Sequence, residues 1–266
     1  MKTRELSLQE IQEAILDIMI YIDEICREHH LTYFLSGGTL IGAIREKGFI
    51  PWDDDADIMM PRQDYNKLLK IIQKDSSLYK INSVELSRKW TLPIAKVYDT
   101  KTLVDYKYIQ ESPVGVFVDI LPMDGLSGNR FLTKLYYYLI KFLWMCRHSA
   151  IKKDFNPEEN FRYFKKVFQK IMPFIGANRI SKVINSLAKH KHYQDSEYVG
   201  CSVLCHYMDK EYFAKSWFDS SIDVEFCNHS FKAPVGYDAY LTKLYGDYMT
   251  PPKEADDHHH MSIYYL

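Results

Sequence analysis

The 266-residue chain has no apolar run approaching the roughly 18–20 uncharged residues of a membrane-spanning helix. It also lacks an excess of charge of either sign. Its 34 Lys and Arg oppose 35 Asp and Glu, a net of −1, which argues against a wholesale nucleic-acid binder. Cysteine is scarce: five thiols, odd in number and scattered, fit a reducing compartment better than a disulfide framework. The opening residues MKTRELSLQEIQEA carry charges where a signal peptide has its apolar stretch, so no export signal is expected. What is plentiful is core material. Hydrophobic residues make up 47% and charged ones 26%, which excludes a largely disordered or collagen-like chain. These features predict a cytosolic, soluble protein.

The even charge hides an asymmetry. Arg130 to Lys191 holds fourteen basic and three acidic residues, so the remainder carries twenty basic and thirty-two acidic ones. Along the chain, Ser7 and Glu10 form a capping-box pair, and Leu8, Ile11, Ile15, Ile18, Ile22 and Ile25 recur at helical spacing. Leu31–Leu35 reads as a strand running into Ser36-Gly37-Gly38, followed by a short helix from Thr39 to Arg45. A turn at 48–52 precedes a candidate strand and then a helix opening at Pro61. Short β-rich pieces follow at 79–86, 93–98, 103–108 and 115–121, and Gly125 to Gly128 reads as a break. Residues 129–191 read as helices interrupted near Pro157 and at Pro173–Gly176. Strand candidates at 198–205 and 222–226 and a helix at 238–245 close the chain. The expected fold is a mixed α/β sheet flanked by helices: a catalytic core over 1–128, a basic helical block over 129–195, and closing elements over 196–266.

The strongest chemical signal is Trp52-Asp53-Asp54-Asp55-Ala56-Asp57-Ile58. In an extended strand, Asp55 and Asp57 point to one side. Carboxylates held that close raise each other's pKa unless water or a cation intervenes. Three readings compete: a solvated polar turn, a calcium loop and a metal site for a phosphorylated donor. The calcium loop needs Gly at its sixth position and Glu at its twelfth, and counting from Asp53 these are Ile58 and Asp64. That excludes it. Oxygen ligands with no His or Cys beside them favour Mg²⁺ or Mn²⁺. Upstream, Gly37-Gly38-Thr39 lets backbone amides approach a phosphate at a helix start. A glycine turn coupled to an Asp-x-Asp strand matches the nucleotidyltransferase superfold. Sixteen residues separate Gly38 from Asp55, slightly more than usual there, so the turn carries a small insertion.

The run FLSGGTLIGAIREKGFIPWDDDADI (Phe34 to Ile58) resembles the signature of the LicD family, the choline-phosphate transferases of bacterial surface glycans, and is similar to the fukutin-related ribitol-phosphate transferases. The resemblance continues at PIAKVYDTKT, FVDILPMDGL and YLTKLYGDYMTPP. It implies metal-dependent transfer of a phospho-alcohol from a CDP-linked donor such as CDP-choline to a sugar hydroxyl, with release of CMP. It implies Asp55 and Asp57 as metal ligands, Asp53 at a further acidic position and Asp119 as the third carboxylate. Asp119 also interrupts an otherwise apolar strand, Val116 to Leu121, where a lone carboxylate is costly unless paired or metal-bound. Asp124 reads as a turn residue.

Lys96, Arg45 and Arg62 are candidate phosphate clamps. Lys96 is the best of them, lying inside an apolar strand pattern. Trp52, Trp90, Tyr98 and Tyr106 are candidates for an aromatic box around a quaternary ammonium. Cys201, Cys205, His206 and Cys227 match a zinc site only weakly. His258–His260 is read equally as a phosphate or acceptor contact and as an unstructured tail.

In the basic block, apolar and aromatic residues alternate with Arg130, Lys134, Lys141 and Arg147, and again around Phe164, Val167 and Phe168. That composition suits either an anionic membrane surface, where lipid-linked acceptors are assembled, or helices docked on the core with a basic outer face. Two other functions compete with the transferase. An Asp-x-Asp glycosyltransferase usually places its motif much later in the chain, and a catalytically dead binding module has no need of the intact acidic set.

Overall fold

The computed structural model describes residues 4–75, 78–106, 111–152, 170–204, 206–252 and 262–266. The expectations at Pro157, Phe164, Val167, Phe168, Cys205 and His258–His260 fall outside them.

Helix α1 spans Leu8–Glu28 and begins as expected: Ser7 accepts from the Glu10 amide, and the Glu10 carboxylate accepts from the Ser7 amide. Its buried stripe, Ile11, Ile15, Ile18, Ile22 and Ile25 with Met19 and Cys26, belongs to the main core. The central sheet contains β1 (Phe34–Leu35), β2 (Asp57–Pro61), β3 (Tyr79–Asn82), β4 (Ala95–Asp99) and β6 (Phe117–Leu126). Their spatial order is β1-β2-β6-β4-β3. Strands β2 and β6 run parallel at its centre, and the other pairs in this order are antiparallel. Two further strands, β7 (Tyr198–Gly200) and β8 (Phe213–Ala214), extend the sheet from the far half of β6. The mixed α/β sheet flanked by helices is therefore the observed architecture.

Strand β6 is apolar and buried along nearly its whole length, as a strand covered on both faces must be. It runs through Gly125, where a break was expected. The glycine is there for room, because a Cβ would collide with Ser196 and with the His192 carbonyl. Asp124 likewise lies inside the strand and not in a turn.

Helix α2 (Gly37–Ile41) and a π-helical turn (Gly42–Glu46) follow β1, and α3 (Arg62–Lys74) follows β2. Helix α4 (Arg130–Ile151), capped by Asn129, contributes Ile140 and Cys146 to the same core as the sheet. Helix α5 (Ala177–Ala188) packs on α4. Strands β9 (Ser221–Phe226) and β10 (His229–Pro234) form a hairpin, whose second strand lies outside the expected strands. Helix α6 (Tyr237–Tyr245) follows, and β11 (Ser262–Tyr265) returns to pair with β5 (Thr102–Asp105).

Candidate active site

The site is built where β1 turns into α2 beside the first residue of β2. Gly37 adopts φ +52°, a left-handed conformation that favours glycine. A Cβ on Gly37 would stand 3.3 Å from Asp57 Oδ2, and one on Gly38 would stand 2.9 Å from Asp53 Oδ2. The two glycines thus leave space directly over two carboxylates. The backbone fixes Asp57 from both sides: its carbonyl accepts from the Ser36 amide at 3.0 Å, and its amide donates to Thr39 Oγ1 at 2.9 Å. Thr39 therefore holds the strand as well as lining the turn.

Register brings in the third strand. Asp57 on β2 pairs with Asp119 on β6, and Lys96 on β4 pairs with Asp119 from the other side. Lys96 Nζ lies 2.6 Å from Asp119 Oδ1 and 3.2 Å from the centroid of the Phe117 ring. Burial raises the Asp57 carboxyl well above its ordinary value, and the charges of Asp55 and Asp119 add to the shift. Burial also raises Asp119, against the pull of Lys96. Asp53 is pushed up to about 8, first by burial and then by Asp55, with which it shares a hydrogen bond. Carboxyls raised by burial and by one another's charge are short of positive charge.

Asp53, Asp55, Asp57 and Asp119 offer oxygen donors and no sulfur or imidazole, the donor type that a hard divalent cation such as Mg²⁺ or Mn²⁺ takes. Among the described residues no three His, Cys, Asp or Glu side chains form a ready-made metal cage. Asp119 is drawn instead to Lys96, and Asp53 to Asp55.

Other candidates fall in different places. Arg45, in the π-helical turn, pairs with Glu46 and donates to the Tyr248 carbonyl at 2.9 Å, tying the YGDY segment to that turn. Trp52 is half-buried just ahead of the acidic run. Arg62 stands at the opposite end of β2 from Asp57, where its guanidinium grips both oxygens of buried Asp124 and donates to Asn185 Oδ1 at 2.9 Å. It is separated from the carboxylates by the length of the strand. Arg147, read as part of a basic surface, is fully buried and paired with Glu111. Trp90 is buried and bonded to the Ile94 carbonyl, and Tyr98 accepts from Asn82.

The aromatics that do reach the site come from later in the chain. A cavity of about 190 Å³ opens beside Gly37 and Asp57 and is lined by Tyr207, Glu211, Phe213, Tyr240 and Tyr245. Tyr240 is held by Ser36 Oγ at 3.0 Å, and the Tyr245 hydroxyl would lie 3.5 Å from a Cβ on Gly37. Tyr207 and Glu211 carry no motif spacing that marks them in the sequence, and Tyr245 reads there as a helix end.

A family profile described as LicD/FKTN/FKRP, nucleotidyltransferase domain, matches residues 30–152. The lipopolysaccharide cholinephosphotransferase LicD of Haemophilus influenzae is 33% identical over 273 residues, covering 99% of each chain. The chain belongs to the LicD family. An uncharacterized protein of Rickettsia prowazekii is 30% identical over 100 residues, 36% of this chain and 38% of its own. The LicD profile takes in the glycine turn, the acidic run, Lys96 and Asp119; Glu211 and Tyr245 lie beyond its end.

Proposed function

We propose that the protein transfers phosphocholine, or a related phospho-alcohol, from a CDP-linked donor to a hydroxyl of a cell-surface glycan precursor and releases CMP. The observation that carries this reading is the end-to-end likeness to a lipopolysaccharide cholinephosphotransferase, over a chain whose carboxylates converge at a glycine turn. The acceptor oxygen attacks the phosphorus distal to the cytidine, the bond from that phosphorus to the bridging oxygen breaks, and the electron pair leaves on CMP. Asp119 takes the hydroxyl proton. Lys96, at 2.6 Å, favours the ionised form of Asp119 that this task requires. Gly37 and Gly38 admit the diphosphate without a side chain in its path. Asp55, Asp57 and Asp119, with Asp53 beside them, would hold a Mg²⁺ or Mn²⁺ ion, which when bound would supply charge neutralisation on the diphosphate.

The same reading sets the enzyme against an anionic membrane carrying a lipid-linked acceptor. The outer face of α4 exposes Phe131 (74% exposed), Leu132, Leu135, Tyr138 and Leu139 among Arg130, Lys134 and Lys141. Phe174, just ahead of α5, is 87% exposed. Apolar side chains edged by cations suit peripheral binding. Among the described residues no helix is long and apolar enough to cross a membrane.

The test is calorimetric binding of CDP-choline, CDP-ribitol, CDP-glycerol and a UDP-sugar, each with Mg²⁺ and with EDTA, followed by assay of CMP release. Mg²⁺-dependent preference for a CDP-alcohol is expected. Preference for the UDP-sugar overturns the reading in favour of a glycosyltransferase.

A further inference from the structure

We infer that the cavity between Asp57 and Glu211 receives the cationic end of the transferred head group, a quaternary or protonated ammonium, with Glu211 as its counter-ion. The inference rests on the transfer reading for the phosphate end of the ligand and on separate observations for the cationic end.

Glu211 is 6% exposed, and a carboxylate so far from water needs a partner. One oxygen, Oε1, accepts from the Tyr207 amide at 3.1 Å. The other, Oε2, is buried and has no hydrogen-bond partner among the described residues. Among those residues no Lys or Arg lines the cavity, and its one imidazole, His206, forms no ion pair or hydrogen bond with Glu211. The nearby Lys210 and Lys243 ammonium groups are both taken by backbone carbonyls, those of Leu244 and Tyr212. The carboxylate is thus held out of water, with one of its two oxygens unpartnered among the described residues.

The walls complete the argument. The Tyr207 and Tyr245 rings meet edge to face, centroids 5.4 Å apart and planes at 75°, and form an aromatic corner. Tyr240 forms a further wall, anchored through its hydroxyl to Ser36. Aromatic faces beside a carboxylate attract an ammonium that cannot donate hydrogen bonds, such as trimethylammonium. At about 190 Å³ the space takes a few heavy atoms, well short of the roughly 300–1,000 Å³ of drug-sized pockets. Gly37 and Asp57 line the same cavity as Glu211, so a head group with a phosphate at one end and a cation at the other meets both there.

The experiment measures binding of choline chloride and of CMP, together with CMP release from CDP-choline and CDP-glycerol, for wild type, Glu211→Gln and Tyr207→Leu. Tyr207 is partly exposed, so its variant guards against a folding loss in the first. Choline affinity is expected to fall at least tenfold in both variants while CMP affinity stays within twofold. The preference for CDP-choline over CDP-glycerol falls by a similar factor. If choline binding is unchanged in both variants while CDP-choline is still turned over, the pocket assignment is overturned and the transferase stands. If choline binding depends on Glu211 but no CDP-alcohol is turned over, the pocket stands and the transferase falls. Absence of both choline binding and turnover overturns both.

Discussion

Asp57 and Asp119 sit side by side in register on neighbouring parallel strands, and the Asp119 carboxylate is met from its other side by Lys96. Three strands therefore place two acids and one base in a row at the centre of the sheet. Burial raises the carboxyls of both acids, helped at Asp57 by the charges of Asp55 and Asp119 and opposed at Asp119 by Lys96, so the fold holds this arrangement against its own stability.

Replacing one acid tests that cost. Asp57→Asn keeps the shape, keeps the backbone bonds to Ser36 and Thr39, and removes a repelling charge. In EDTA the variant is expected to unfold at a higher temperature than wild type, with a gain of about 1 kcal/mol. Stabilisation by Mg²⁺ should disappear, and turnover should fall at least about a hundredfold. A variant as active as wild type rejects Asp57 as part of the machinery.

Lys96→Met makes the opposite change, leaving Asp119 without its ammonium. Breaking a buried pair from one side costs about 3–5 kcal/mol. Denaturant unfolding in EDTA should show a loss of that order. The double variant Lys96→Met/Asp119→Asn should recover most of it. A double variant no more stable than the single one means that Lys96 matters for packing on Phe117 and not for charge.

Arg62 was a phosphate-clamp candidate, yet its guanidinium is spent on Asp124 and Asn185. Arg62→Met is expected to lose several kcal/mol of stability, since it strands a carboxylate that is 1% exposed. The folded fraction at low temperature should keep the wild-type KM for the CDP-linked donor. A raised KM with unchanged stability points back to phosphate contact.

That reassignment shows what one dimension carries and what it does not. The α1 stripe and its Ser7–Glu10 cap are local, and the sequence displays them in full. The acidic run and Asp119 were legible for a similar reason, because charge inside an apolar strand pattern is conspicuous wherever the partner lies. The Arg62–Asp124 pair was not legible, since each residue has an ordinary local explanation and only the β2–β6 register joins their ends. Gly125 reads as a breaker until the His192 carbonyl and Ser196 are set against it. The β9–β10 turn is made by Cys227 and Asn228 at φ +50° and +62°, without the glycine that usually marks two left-handed positions. Glu211 and Tyr207 reach the glycine turn from more than 160 residues away in the chain, which no spacing rule anticipates.

The outer face of α4 predicts an interaction with lipid. Flotation with vesicles of phosphatidylglycerol is expected to carry wild type, and Phe131→Asp/Leu135→Asp to reduce the bound fraction several-fold. Because both side chains are exposed, the melting temperature should change little. High salt should weaken binding through Arg130, Lys134 and Lys141. Equal flotation of wild type and variant removes α4 as the membrane face.

Glu211 gives a prediction in pH. Burial raises its carboxyl from an ordinary 4.5 to about 7, so the folded chain holds this proton more tightly than the unfolded chain does. The stability this contributes is complete below about pH 4.5 and is lost as pH rises through about 7. At about 1.4 kcal/mol per unit, the deficit approaches about 3 kcal/mol near pH 8. Glu211→Gln carries no such proton and keeps an acceptor for the Tyr207 amide, so its melting temperature should exceed that of wild type at pH 8 and match it near pH 4. Choline chloride, by pairing with the carboxylate, should restore the wild type at pH 8 and leave the variant unmoved. Parallel stability profiles for the two proteins would show that Glu211 is ionised and compensated already, and the case for an unmet charge in the cavity would end there.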